Sequence, residues 1–195
     1  MTDRPTSFRI EPVTDAEVAA DDELRDVLSK TVLLRGKPIN IFGVLAKHPK
    51  LLKRFNLMGG FILNKGLLPA REREVVILRV GANCVARYEF GQHTVIGERC
   101  GLSSEEITGL LRPSDAHPWS DTDAALIAMS DDLCADDCVS EVTFARLRDR
   151  WSEAEIMELI VTAGFYRMVS GFLNSVGVEL DSDVPDFPEP PSTGV

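Results

Sequence analysis

The sequence lacks a C-x-x-C pair, any alternating period-two stretch, and an apolar run near the roughly 18 residues that suggest a membrane span. Each absence excludes something. Without C-x-x-C, the four cysteines Cys84, Cys100, Cys134 and Cys138 show no sign of a dithiol redox centre or a zinc knuckle. Cys134 and Cys138 would share a helix face, as any i, i+4 pair does, and the four are expected to be small, buried or half-buried thiols without chemistry. Positive charge is also scarce: 21 Lys and Arg face 31 Asp and Glu, for a formal net charge of −10. Nucleic acid needs a basic footprint and is not an expected partner. Acidic small molecules stay open, because a local arginine cluster can hold an anion within a negative protein. Three scattered histidines without a carboxylate-rich triad offer no persuasive ligand set, so neither metal nor cofactor is expected. The opening MTDRPTSFRIEP has no apolar h-region, so a cytoplasmic chain with no membrane partner is expected.

What is present is helical punctuation. A chain of 195 residues, 44% apolar and 27% charged, is long enough for one domain with a real core. Residues 1–13, with Pro5 and Pro12, read as an arm, residues 14–180 as a helical domain, and 181–195 as an acidic tail. Pro185, Pro188, Pro190 and Pro191 exclude a regular helix from that tail. Thr14 with Glu17, Ser103 with Glu106, and Ser152 with Glu155 each have capping-box spacing, and the first predicts a helix through Leu28. Pro49 and Pro69 open two more helices, and Gly101 suits the left-handed position that closes one. Gly81-Ala82-Asn83 is the most plausible bend between Pro69 and Arg99, with a further helix starting near Cys84. The last long helix carries Ile156, Leu159, Ile160, Ala163, Tyr166, Val169 and Leu173, with Gly164, Ser170 and Gly171 as small residues. It is apolar over more than one face, as a helix in a core or a subunit interface would be. The fold class is all-α, and a homo-oligomer is expected.

Two observations suggest chemistry. Glu89 and His93 stand four apart, which on a helix brings a carboxylate and an imidazole to one face. A histidine exchanges protons near neutral pH, and a carboxylate can orient it. An ordinary surface pair is the plainer reading of that spacing. Glu74 lies among Val75, Val76, Ile77, Leu78 and Val80, where burial would demand a partner; the plainer reading pairs it with Arg71, Arg73 or Arg79 at the helix surface. In an unbroken helix Glu74 and Glu89 would stand about 22 Å apart, so they meet only if the chain bends.

The stretch from Pro69 to Leu102, with Arg73-Glu74, Glu89-x-x-x-His93 and Arg99-Cys100-Gly101-Leu102-Ser103, resembles the carboxymuconolactone decarboxylase family of the alkylhydroperoxidase D-like superfamily. Weaker likeness extends to Asn40-Ile41-Phe42 and His48-Pro49, and downstream to Trp119-Ser120-Asp121, the region 147–151, and Tyr166 to Val178. The resemblance implies a helical bundle assembled as a trimer or hexamer (a dimer being the smaller alternative), with the site on its central helices. The thiol peroxidase branch has a glutamate, a C-x-x-C pair, and a histidine four residues after the second cysteine. Those positions fall here on Glu74, Ala86, Glu89 and His93, so both redox sulfurs are missing. Cys84 and Cys100 are not credible replacements.

Glutamate at the second cysteine position is the decarboxylase branch's pattern. The resemblance therefore implies a cofactor-independent lyase acting on a carboxylated lactone or related carbonyl compound. His93 would donate a proton or stabilise an oxyanion, with Glu74 orienting it and Glu89 as a second acid/base. Arg79 and Arg87 are candidate anion anchors, and Tyr88, Gln92 and Trp119 candidate pocket residues. The rivals are a thiol-dependent antioxidant enzyme and a non-catalytic oligomer that binds a small molecule.

Overall fold

A computed structural model describes residues 4–187. Those residues form ten α-helices, one short 3-10 turn and a two-residue β-hairpin, so the fold is all-α as expected. The chain divides into two compact units. One is the chain up to Gly66 with Phe172–Ser182; the other is Leu67–Gly171 with the chain from Asp183. The expected tail falls partly beyond the described residues, with Pro188, Pro190 and Pro191 among those outside.

The first unit contains α1 (Asp15–Ala20), α2 (Asp22–Leu28), β1 (Leu33–Leu34), β2 (Lys37–Pro38), α3 (Asn40–Leu45) and α4 (Pro49–Asn64). The Thr14–Glu17 capping box forms, but the helix expected through Leu28 is broken at Asp21. Asp21 is extended, and its carboxylate accepts the Leu24 backbone N–H at 3.0 Å. Aspartate serves better as a cap than inside a helix, where it competes with the backbone. The hairpin was not legible in the sequence; Arg35 and Gly36 turn it with φ of 51° and 79°, both left-handed. His48 caps α4 by accepting the Leu51 N–H, with Pro49 following in the first turn. The N-terminal arm is pinned where the Arg9 N–H donates to the Val176 carbonyl at 2.7 Å. Gly177 is obligatory there: its φ is +70°, and a Cβ would fall 2.1 Å from the Ser7 carbonyl oxygen.

The second unit contains α5 (Ala70–Asn83), α6 (Arg87–Arg99), α7 (Ser104–Gly109), the 3-10 turn Ser114–Ala116, α8 (Asp121–Asp136), α9 (Glu141–Arg148) and most of α10 (Glu153–Val176). Helix α5 is central, packing against both α6 and α8. Every residue from Arg73 to Gly81 is buried, which is why its sequence shows no polar face. The capping boxes at Ser103 and Ser152 form, and Gly101, with φ of +94°, ends α6 as expected.

The bend between α5 and α6 does not lie at Gly81-Ala82-Asn83; those residues remain helical. It lies at Cys84–Ala86, where the Ala86 N–H donates to the Gly81 carbonyl and the Val85 N–H to the Ala82 carbonyl. This is a Schellman closure with Val85 in the left-handed position at φ of 49°, where glycine is usual. Gly81 instead allows a close approach, since a Cβ there would lie 3.6 Å from the Phe90 backbone nitrogen. Further along, Gly97 faces Leu78 and Leu102, whose methyls would be 3.2 and 3.1 Å from a Cβ. The two glycines bring α6 onto α5 over its full length.

Candidate active site

The α5–α6 hairpin brings together the three residues singled out as catalytic candidates. Glu74 projects from the second turn of α5 and is fully buried, while Glu89 and His93 lie one turn apart on α6 at 4% and 5% exposure. His93 Nδ1 is 2.6 Å from Glu74 Oε2, and His93 Nε2 is 3.1 Å from Glu89 Oε1. Both ring nitrogens thus face carboxylate oxygens. This arrangement favours the doubly protonated imidazolium, which alone can donate to both.

The electrostatics agree. Burial of the His93 ring would lower its pKa, but the charge and hydrogen bond of Glu74, and then those of Glu89, outweigh it and raise the pKa to about 10. For Glu74 burial acts in the opposite direction, raising its pKa. His93 and then Arg73 overcome that, and the carboxyl sits below its ordinary value. Arg73 was weighed in the sequence only as a surface partner. It is buried, and its Nε donates to Glu74 Oε1 at 2.9 Å. The cluster therefore matches two carboxylates with two cations.

Tyr166 on α10 completes the wall. Its ring meets the His93 ring edge-on, with centroids 4.9 Å apart. Burial, then the charges of Glu89 and Glu74, push its hydroxyl well above the usual tyrosine range, so it stays protonated. In the sequence it reads as a core residue; the only signal of more was a hydroxyl needing a partner in an apolar helix. One helical turn to either side, Thr162 and Ser170 are fully buried, and their hydroxyls have no hydrogen-bond partner among the described residues.

The other candidates lie elsewhere. Arg79 is buried, but its guanidinium is committed: Nε and Nη2 donate to Asp131 at 2.6 and 2.8 Å, and Nη1 to the Leu110 and Arg112 carbonyls. It fastens α5 to α8 and is not an anion anchor. Arg87 pairs with Asp186, its Nε 2.7 Å from Oδ1, on an exposed surface. Beside it the Phe187 ring packs on Phe90, centroids 5.1 Å apart, so the chain after Asp183 lies along the first turn of α6. Gln92 Nε2 donates to the Tyr88 hydroxyl at 3.2 Å, which ties these two to each other across one turn. The Trp119 ring meets the His117 ring at a tilt of 54°, centroids 4.3 Å apart, and packs over Gly109 of α7. Its role is to cover α7, not the Glu74–His93 cluster.

Ala86 and Glu89, where a C-x-x-C pair would fall, are the N-cap and the third residue of α6. No sulfur stands beside His93 at either position.

The model of the carboxymuconolactone decarboxylase family matches residues 49–131, a span holding Glu74, Glu89 and His93. No curated protein sequence matches the chain. Among solved structures, an uncharacterized peroxidase-related protein from Ralstonia eutropha, described as an alkylhydroperoxidase AhpD core, is similar with a TM-score of 0.76 and 19% identity. The match covers 91% of this chain and 95% of that one. The debrominase Bmp8 is similar with a TM-score of 0.74 at 12% identity, over 91% of this chain and 95% of its own. A protein of unknown function from Agrobacterium tumefaciens gives 0.66 at 17% identity, over 71% of this chain and 96% of that one. At such identities these neighbours share the fold alone. Over residues 49–131 the chain is thus similar to the carboxymuconolactone decarboxylase family, and over most of its length it shares the fold of these solved structures.

Proposed function

We propose that the chain is a cofactor-independent, carboxymuconolactone decarboxylase-like lyase that performs acid–base chemistry on a carboxylated lactone or a related carbonyl compound. The observation that carries this reading is the unequal hold of two carboxylates on His93. Glu74 grips Nδ1 at 2.6 Å and is fully buried, so it fixes the ring. Glu89 holds Nε2 at the longer 3.1 Å from the first turn of α6, and it is the partner a substrate oxygen can replace.

In the proposed reaction the bond from the substrate carbon to its carboxylate breaks and carbon dioxide leaves. The electron pair moves into the lactone carbonyl, and the Nε2 proton of His93 stabilises the oxygen that becomes enolate-like. Glu89, freed from the ring, takes up a proton from solvent and delivers it to carbon. His93 and Arg73 offset both glutamates, which makes the site less repulsive to an anionic substrate than two unpaired carboxylates would be. The buried hydroxyls of Thr162 and Ser170 suit hydrogen bonds to substrate oxygens beside Tyr166. Met157, Val161 and Met168 leave an exposed apolar face on α10, which supports a homo-oligomer as the working form. By length and composition α10 would also pass for a membrane span, but Leu159, Ala163, Val169 and Leu173 are buried within the protein.

The test is carbon dioxide release from γ-carboxymuconolactone by the wild type, His93→Ala and Glu74→Gln. Turnover that falls by about 10²-fold or more in both variants supports the named residues. An inert wild type that is folded and oligomeric removes the decarboxylase assignment.

A further inference from the structure

The cysteines, read in the sequence as chemically silent, are not all isolated. Cys84 is the C-cap of α5 and Cys134 lies near the end of α8, and these two helices pack on each other. Their ends are pinned in register: Asn83 donates to Asp131 at 2.7 Å, and Cys134 follows Asp131 by one helical turn. The Cys84 and Cys134 thiols consequently lie side by side and interact, although all of α6 and α7 and most of α8 separate the residues in the sequence. Neither is in a disulfide, and both are half-exposed. Arg167 of α10 donates to the Leu133 carbonyl at 2.8 Å, which sets a guanidinium beside the pair. The two adjacent thiols are reachable from solvent, and the guanidinium that acts on them is itself paired with Asp137.

We propose that Cys84 and Cys134 form a reversible disulfide by exchange with a low-molecular-weight disulfide, fastening the end of α5 to α8. The Cys84 thiolate attacks one sulfur of the small disulfide, forming a mixed disulfide and releasing one small thiolate. Cys134 then loses its proton to solvent and attacks the Cys84 sulfur, and the second small thiolate leaves. Two protein thiols are oxidised, and one small disulfide is reduced to two thiols. Cys84 attacks first because the Cys134 thiol is pushed far up, chiefly by its hydrogen bond to Cys84 and then by burial. Cys84 stands ten residues beyond Glu74, about 15 Å along α5, so this site is separate from the Glu74–His93 cluster. It stands or falls independently of the proposed lyase activity.

The probe is oxidised glutathione, applied to the full chain and followed by intact mass and peptide mapping. The wild type is expected to lose the mass of two hydrogens, to yield one linked peptide pair holding Cys84 and Cys134, and to regain both hydrogens with dithiothreitol. Cys134→Ser is expected to stop at a stable glutathione adduct on Cys84. A wild type that retains a glutathione adduct on Cys84, that links either residue to the exposed Cys138, or that leaves both thiols unmodified overturns the proposal.

Discussion

Replacing Glu74 by Gln tests the electrostatic core of the site directly. The rise of the His93 pKa from 6.5 to about 10 corresponds to roughly 5 kcal/mol of preference for the charged ring, supplied against the cost of burial by two carboxylates. Glu74 is the closer, at 2.6 Å against 3.1 Å, and the more deeply buried, so it should supply the larger share. Glu74→Gln is therefore expected to lower the His93 pKa more than Glu89→Gln does. The assay is the ¹⁵N shift of the imidazole across pH 6 to 11, which distinguishes a doubly protonated ring from a neutral tautomer. Stability should follow with a definite sign. The folded ring keeps its proton between pH 6.5 and about 10, while the unfolded ring has lost it. The contribution is thus full below pH 6.5 and declines toward pH 10, by about 1.4 kcal/mol per pH unit of urea-unfolding free energy. A wild-type ring that is neutral at pH 8, or a Glu89→Gln variant with the larger drop, refutes the reasoning.

Two further substitutions separate support from chemistry. Arg79→Ala leaves Asp131 with only the Asn83 donor and takes the guanidinium from two carbonyls, and should cost about 3–5 kcal/mol by urea unfolding while turnover per folded molecule is unchanged. A large loss of turnover at unchanged stability would return Arg79 to the site. Gly97→Ala puts a methyl 3.1–3.2 Å from two buried leucine methyls; helix propensity returns about 1 kcal/mol against a packing cost of about 1–3. A net loss of about 1 kcal/mol is expected, with a lower His93 pKa as α6 is pushed from α5. An unchanged His93 titration would show that the close approach does not hold the pair.

The helices were legible from local signals, capping boxes and proline starts; i, i+4 spacing and a carboxylate within an apolar run only nominated Glu89, His93 and Glu74, and it was the family resemblance that implied they act together. What escaped depended on distant partners or on a residue acting against its usual preference. Arg79 and Asp131 are 52 positions apart, so nothing near Arg79 showed that its charge was already spent. The sequence points to a bend at Gly81-Ala82-Asn83, since glycine is the usual helix breaker. The fold instead places Val85 in the left-handed turn and keeps Gly81 for contact with Phe90. Asp21, read in the sequence as part of one helix through Leu28, is the cap that divides it.

The hold of Asp186 and Phe187 on the first turn of α6 has a consequence for how the molecule is made. Arg87 and Asp186 are 99 residues apart, so at about 5–20 residues per second the ribosome needs roughly 5–20 s to supply the second partner after the first. Glu74, Glu89 and His93 are all synthesised before that interval ends and can meet as soon as α5 and α6 fold back on each other. The outer turn of α6, which carries Glu89, waits for almost the last described residues of the chain. A nascent or truncated chain ending before Asp186 would hold the buried pair of Glu74 and His93 but leave the first turn of α6 unclamped.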